Sequence, residues 1–109
     1  MIIKLLISFV LMALCVAIHA IGLMRAMRRF ERLPARADTR FWPPTWLLIR
    51  VAGWLVLLHL VEISLWASLY VWGHAMPDAH SALYFSAVTY TTTGYGDLVL
   101  PDNWRLLGG

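Results

Sequence analysis

Charge is scarce in this chain, and acid is scarcer still. Only 14% of its 109 residues are charged, with six Asp or Glu against nine Lys or Arg. A soluble domain of this length needs more polar surface than that. With 61% hydrophobic residues and a mean hydropathy of +0.69, the composition belongs to the membrane class. Cysteine is nearly absent: Cys15, alone in an apolar run, excludes an intrachain disulfide and says little about redox compartment. No Walker motif, catalytic triad, dinucleotide fingerprint or metal-ligand cluster is visible in the spacing, so the common routes to enzyme chemistry are missing. Also missing are an arginine at every third position of a span, which a voltage sensor needs, and any regulatory nucleotide- or ligand-binding domain.

What charge there is lies together. Seven arginines, Arg25, Arg28, Arg29, Arg32, Arg36, Arg40 and Arg50, fall between residues 25 and 50 against Glu31 and Asp38. Beside flanking apolar runs this is read as a topogenic signal rather than a nucleic-acid surface. Arg25, Arg28, Arg29 and Arg32 follow i, i+3, i+4, i+7 spacing. They share one face if the first helix continues into the interface, and could hold anionic lipid headgroups there.

Residues 1–24 read as a transmembrane helix, apolar apart from Lys4, Ser8 and His19. Ile18-His19-Ala20 is a poor cleavage site, so a retained span is favoured over a signal peptide. His19 is read as a satisfied helix histidine. Residues 25–45 form a linker broken by Pro34, Pro43 and Pro44, with Phe41, Trp42 and Trp46 as interfacial aromatics. A second span covers 46–72, with Trp66, Tyr70 and Trp72 expected at the opposite interface, and Arg50 near its start able to snorkel back toward the basic side. The positive-inside rule puts residues 25–45 in the cytoplasm and the N-terminus outside. Everything after Trp72 then starts on the external side.

There, residues 73–78 form a short polar turret. Asp78 is a candidate N-cap for a helix over 79–91 that is too short to span. At membrane depth, a half-helix followed by irregular backbone is tolerable only when buried in protein or lining a wet cavity. Next comes Thr91-Thr92-Thr93-Gly94-Tyr95-Gly96-Asp97, in which Gly94 and Gly96 supply positive-φ conformations that other residues resist.

That string resembles the selectivity filter of the potassium channel superfamily, TVGYG, and the resemblance extends over residues 46–109 to bacterial channels with two helices per pore unit. It implies an all-α membrane protein with two transmembrane helices, a re-entrant pore helix and a filter loop at 92–97. It also implies that Thr92, Thr93, Gly94 and Tyr95 donate oxygens to dehydrated K⁺, with Gly96 ending the outer mouth. Tyr84, Phe85, Val88 and Asp97 would support the filter, with the Tyr95 ring packing on Tyr84 and Phe85. Thr93 replaces the commoner Val or Ile without removing a carbonyl. Val88 replaces a glutamate that pairs with the aspartate in some members, which leaves Asp97 to find another partner, such as the Tyr84 hydroxyl.

The implied function is passive K⁺ transport by a homotetramer in a bacterial inner membrane, with no enzyme chemistry and no cofactor beyond the transported ion. The family's inner pore-lining helix is missing: residues 103–109 could only start one, so the expectation is a fragment of a longer channel. The alternative is a non-conducting, channel-like regulatory subunit or truncated remnant. His59 and Glu62, at i, i+3 in the second span, are candidate modulatory residues or a couple packed on the pore helix. His74, Asp78 and His80 offer a looser external metal set, although Asp78 has a capping role available.

Overall fold

The computed structural model describes residues 2–32 and 42–108, and every element among them is helical. The first apolar run becomes α1, Ile2–Glu31, which passes the expected end at residue 24 and takes in the arginines. Arginine is a good helix former, no proline intervenes before Pro34, and Arg28 and Arg29 in the last turn complement the negative helix pole. The second run becomes α2, Trp42–Trp72, which opens before the expected Trp46. Pro43 and Pro44 fall in its first turn, where a missing N–H has no intrahelical partner to lose. The proposed break at Pro34, together with Arg36, Arg40 and Phe41, lies outside the described residues.

Both helices contain stretches long and apolar enough to cross a membrane, Ile2–Arg29 and Thr45–Trp72. In their most apolar 18-residue segments only 11% and 17% of residues are buried within the chain, so most apolar side chains outside the helix–helix seams face outward, as lipid-facing ones do. Ser64 and Ser68 satisfy their hydroxyls inside the helix by donating to the carbonyls of Leu60 and Ser64, each at 2.7 Å. At 31 residues α2 is about 46 Å long, more than a perpendicular crossing of about 30 Å requires, so tilt is expected.

After Trp72 the chain turns sharply. Gly73 N–H donates to the Leu69 carbonyl at 2.8 Å, and His74 takes a φ of +51°. Asp78 then starts α3, Ala79–Tyr90, which folds back along α2. Small residues allow the close approach: Ala82 is fully buried, and the buried Ser86 hydroxyl donates to the Ile63 carbonyl at 2.7 Å. Around this seam lies the core of Tyr70, Met76, Phe85, Leu100 and Trp104. Tyr70 corrects the aromatic-belt expectation. It is 3% exposed, meets Phe85 edge-on at 5.4 Å and donates its hydroxyl to the Leu107 carbonyl. Trp66 is partly buried beside it, whereas Trp72 is 75% exposed, as an interfacial residue would be.

The expected start of an inner helix at 103–109 is instead a turn followed by one 3₁₀ turn, Arg105–Leu107. Trp104 accounts for this. Its ring is buried against Gly73, where a Cβ would collide with it, and the Lys4 ammonium sits 4.1 Å from the ring centroid. Lys4 also donates to the Asn103 carbonyl at 3.2 Å, so this segment is drawn against α1.

Candidate functional site

The ribbon of interest is held at its root by the end of α3. Asp78 caps the other end, accepting from both the Ser81 backbone N–H and the Ser81 hydroxyl at 2.8 Å. The Ser81 backbone donor, reinforced by that hydroxyl, holds the Asp78 carboxyl below its ordinary range. Twelve residues later the helix ends, and its orphan carbonyls are taken up by the ribbon. Thr93 N–H and Gly94 N–H both donate to the Val88 carbonyl, at 3.0 and 3.2 Å. Val88 therefore supports the ribbon through its backbone. Thr91 donates its hydroxyl to the Ala87 carbonyl at 2.8 Å and lies 2.9 Å from the Thr93 hydroxyl.

Three residues of the ribbon adopt positive φ: Thr92 at +59°, Gly94 at +53° and Gly96 at +74°. The two glycines do so without steric penalty, whereas β-branched Thr92 is an outlier held by its surroundings, with its hydroxyl donating to the Thr91 carbonyl at 2.7 Å. At the far end, the Tyr84 hydroxyl donates to Asp97 Oδ2 at 2.7 Å. That bond holds the Asp97 carboxyl below its usual range and raises the Tyr84 phenol. The ring of Tyr95 is 73% exposed. Phe85 is not its neighbour in an aromatic cuff: the Phe85 ring is committed to Tyr70 in the core between α2 and α3.

A short helix, a glycine-permitted ribbon tied to its C-terminus and a preceding span together form a recognisable unit. The family model described as "Ion channel" matches residues 47–108, more than half of the chain. The chain belongs to the ion-channel family. No curated protein and no solved structure matches it. The channel match starts inside α2 and runs through the 3₁₀ turn, so α1 lies outside the matched unit.

Nevertheless, α1 contributes to a polar cluster behind the channel ribbon that sequence spacing did not reveal. His19 Nδ1 lies 3.1 Å from Glu62 Oε1, and His59 Nδ1 lies 3.5 Å from Glu62 Oε2. Tyr90, the last residue of α3, donates its hydroxyl to Glu62 Oε2 and lies 2.9 Å from His59 Nδ1. An ionised carboxylate only accepts, so toward that form Tyr90 donates its hydroxyl and His19 donates from Nδ1 in the tautomer that carries its proton there. His19 is thus a satisfied histidine whose partner is 43 positions away. His59 and Glu62 face α3, and folding brings His19 of α1 to them, a convergence that linear spacing does not show. Among the described residues His19, His59 and Glu62 are the group whose ligand atoms converge; His74, Asp78 and His80 do not.

On the opposite half of the α1–α2 seam, a groove of about 910 Å³ gathers Arg25, Arg28, Arg29, Arg32 and Arg50 above an apolar floor. Trp54 closes one wall by donating its indole N–H to the Gly22 carbonyl at 2.9 Å. Sequence spacing had grouped four of these arginines; folding adds Arg50 from the second helix.

Proposed function

We propose that this channel-family chain is one subunit of a homotetrameric, K⁺-selective pore, with Thr92, Thr93, Gly94 and Tyr95 donating the oxygens that replace the ion's hydration shell. The observation that carries this reading is the ribbon geometry: alternating positive φ at Thr92, Gly94 and Gly96, rooted on the Val88 carbonyl at the end of a helix too short to span. One chain carries one such ribbon, and residues 91–99 are exposed in the single chain. Irregular backbone at membrane depth must be buried in protein or line water, and four copies around an axis provide both. The C-terminal pole of α3 directs partial negative charge toward a cation below the ribbon. Transport is passive. The N-terminus and the ribbon's entrance lie outside, with the arginine segment in the cytoplasm of a bacterial inner membrane. The arginine groove offers anionic lipid headgroups a basic site over an apolar trough.

The test is ion flux through the protein, expressed from its complete reading frame and reconstituted in liposomes, comparing K⁺ with Na⁺ before and after Gly94→Ala. K⁺ flux far above Na⁺ flux in the parent, with the ratio collapsing in the variant, supports the reading. Equal fluxes, or none from verified tetramers, refute it. The absence of flux would favour a non-conducting, channel-like subunit.

A further inference from the structure

We infer that His19, His59 and Glu62 form a transition-metal site, of the Zn²⁺ class, that joins α1 to α2 behind the pore helix. Two imidazoles and one carboxylate are a recurrent Zn²⁺ donor set, and no hard-cation site would choose two nitrogens. Donors about 2.0–2.1 Å from a tetrahedral ion lie about 3.3 Å from one another. Each histidine lies near that distance from one carboxylate oxygen, His19 at 3.1 Å from Oε1 and His59 at 3.5 Å from Oε2, and with one donor atom per residue the three lie within 4.8 Å of one another. Rotation of the His59 ring, whose side chain is 46% exposed, closes the remaining gap, while Glu62 at 4% is fixed.

The surroundings favour a cation. Glu62 is a buried carboxylate in the middle of a span, where an anion is tolerated only when compensated. From α1 it faces His19 and the Cys15 thiol, from its own helix His59, and from α3 Tyr90; among the described residues no lysine or arginine lines the cleft that holds them. A divalent ion supplies the missing positive charge. In binding, each neutral imidazole presents its Nδ1 lone pair after moving its proton to Nε2, so no proton need leave the site. The cleft, of about 710 Å³, leaves room for a fourth ligand. The same cleft extends to the buried Ser8 hydroxyl, which has no hydrogen-bond partner among the described residues; it lies eleven residues, about 16 Å along α1, from His19 and is not part of the donor set. Tyr90 acts as an outer partner, donating to the ligating carboxylate and connecting the site to the ribbon that starts at the next residue, Thr91.

The experiment uses the complete protein purified without a histidine tag, stripped with a chelator and titrated with Zn²⁺ and with Co²⁺. The expected result is one ion per folded chain, with the visible d–d bands of four-coordinate Co²⁺. His19→Ala and Glu62→Gln abolish these bands. Tyr90→Phe, which leaves all three ligands in place, weakens binding about 10- to 100-fold. The double variant His74→Ala/His80→Ala, which removes the two exposed turret histidines, leaves the spectrum unchanged. Circular dichroism in the same detergent establishes folding. If Glu62→Gln does not fold, His59→Ala at the half-exposed position decides. A parent protein that binds no metal, or His59→Ala and His19→Ala proteins that bind it with parental affinity and spectrum, overturns the assignment. Binding is read without ion flux, so this result is independent of whether the pore conducts.

Discussion

The Tyr84 hydroxyl lies 2.7 Å from Asp97 Oδ2, bridging the middle of α3 to the far end of the ribbon. Both groups are affected in the direction that a donated proton demands: the carboxyl is lowered by the phenol, and the phenol is raised by the carboxyl. A depressed folded-state carboxyl contributes stability above its unfolded value of 3.8, and this is lost as pH falls through the lower folded value. Tyr84→Phe should therefore raise the Asp97 titration midpoint toward the ordinary range, as read by carbon NMR of labelled aspartate. An unmoved midpoint in the folded variant would show that the bond does not form in the membrane protein.

Asp78 makes a similar prediction at the opposite end of α3. Its carboxylate is held low chiefly by the Ser81 backbone N–H, so the cap is intact at neutral pH and weakens as pH falls below 3.8 through the lower folded value. Asp78→Ala removes the acceptor and should speed exchange of the Ser81 amide at neutral pH. Asp78→Asn keeps an acceptor and should protect that amide with no acid-dependent loss. Equal exchange in parent and alanine variant would exclude the cap.

What could be read in advance was what is encoded locally. Two apolar runs, an aspartate three residues before a serine N–H, and glycines at alternate positions each carry their meaning within a few residues. The all-helical membrane architecture followed from them. Contacts between helices did not. Tyr70 and Trp72 look alike near the end of an apolar run, yet Tyr70 is buried on Phe85 and Trp72 is exposed. Which one faces protein depends on where α3 folds back. His19 gave no local sign of Glu62, because its partner lies on another helix. The one hint was electrostatic: a lone histidine in one span and a lone acid in the next are both expensive in hydrocarbon unless they meet. The segment expected to start a helix shows one 3₁₀ turn at Arg105–Leu107, and the contacts that hold it, from Lys4 and the Tyr70 hydroxyl, are tertiary and have no local signal.

Trp104 is the anchor of that segment. Its truncation to alanine empties a buried ring site against Gly73 and Lys4 and should destabilise the fold by about 3 kcal/mol. Lys4→Met keeps the aliphatic stem but removes the charge over the ring and the hydrogen bond to the Asn103 carbonyl, and should cost about 1–2 kcal/mol. Thermal unfolding in detergent followed by circular dichroism ranks the two. A Lys4→Met loss as large as that of Trp104→Ala would mean that the ammonium, not the buried ring, holds the segment in place.

Gly22 and Leu58 set the distance between α1 and α2 at the arginine end. A Cβ on Gly22 would lie 2.5 and 2.9 Å from the two methyl carbons of Leu58, and the Gly22 carbonyl accepts the Trp54 indole N–H. Gly22→Ala must therefore push Leu58 aside or part the helices, an overpacking penalty of about 1–3 kcal/mol. Leu58→Ala alone leaves a cavity and should cost about 2–5 kcal/mol. In the double variant the new methyl enters the space that the leucine vacated, so the combined loss should fall short of the sum of the single losses by at least about 0.5 kcal/mol. A sensitive secondary reading is Trp54 fluorescence, because parting the helices breaks its bond to Gly22: Gly22→Ala should shift the emission and the double variant should restore it. Strict additivity, with unchanged emission in all three variants, would mean that the helices do not approach each other at this point in the folded channel.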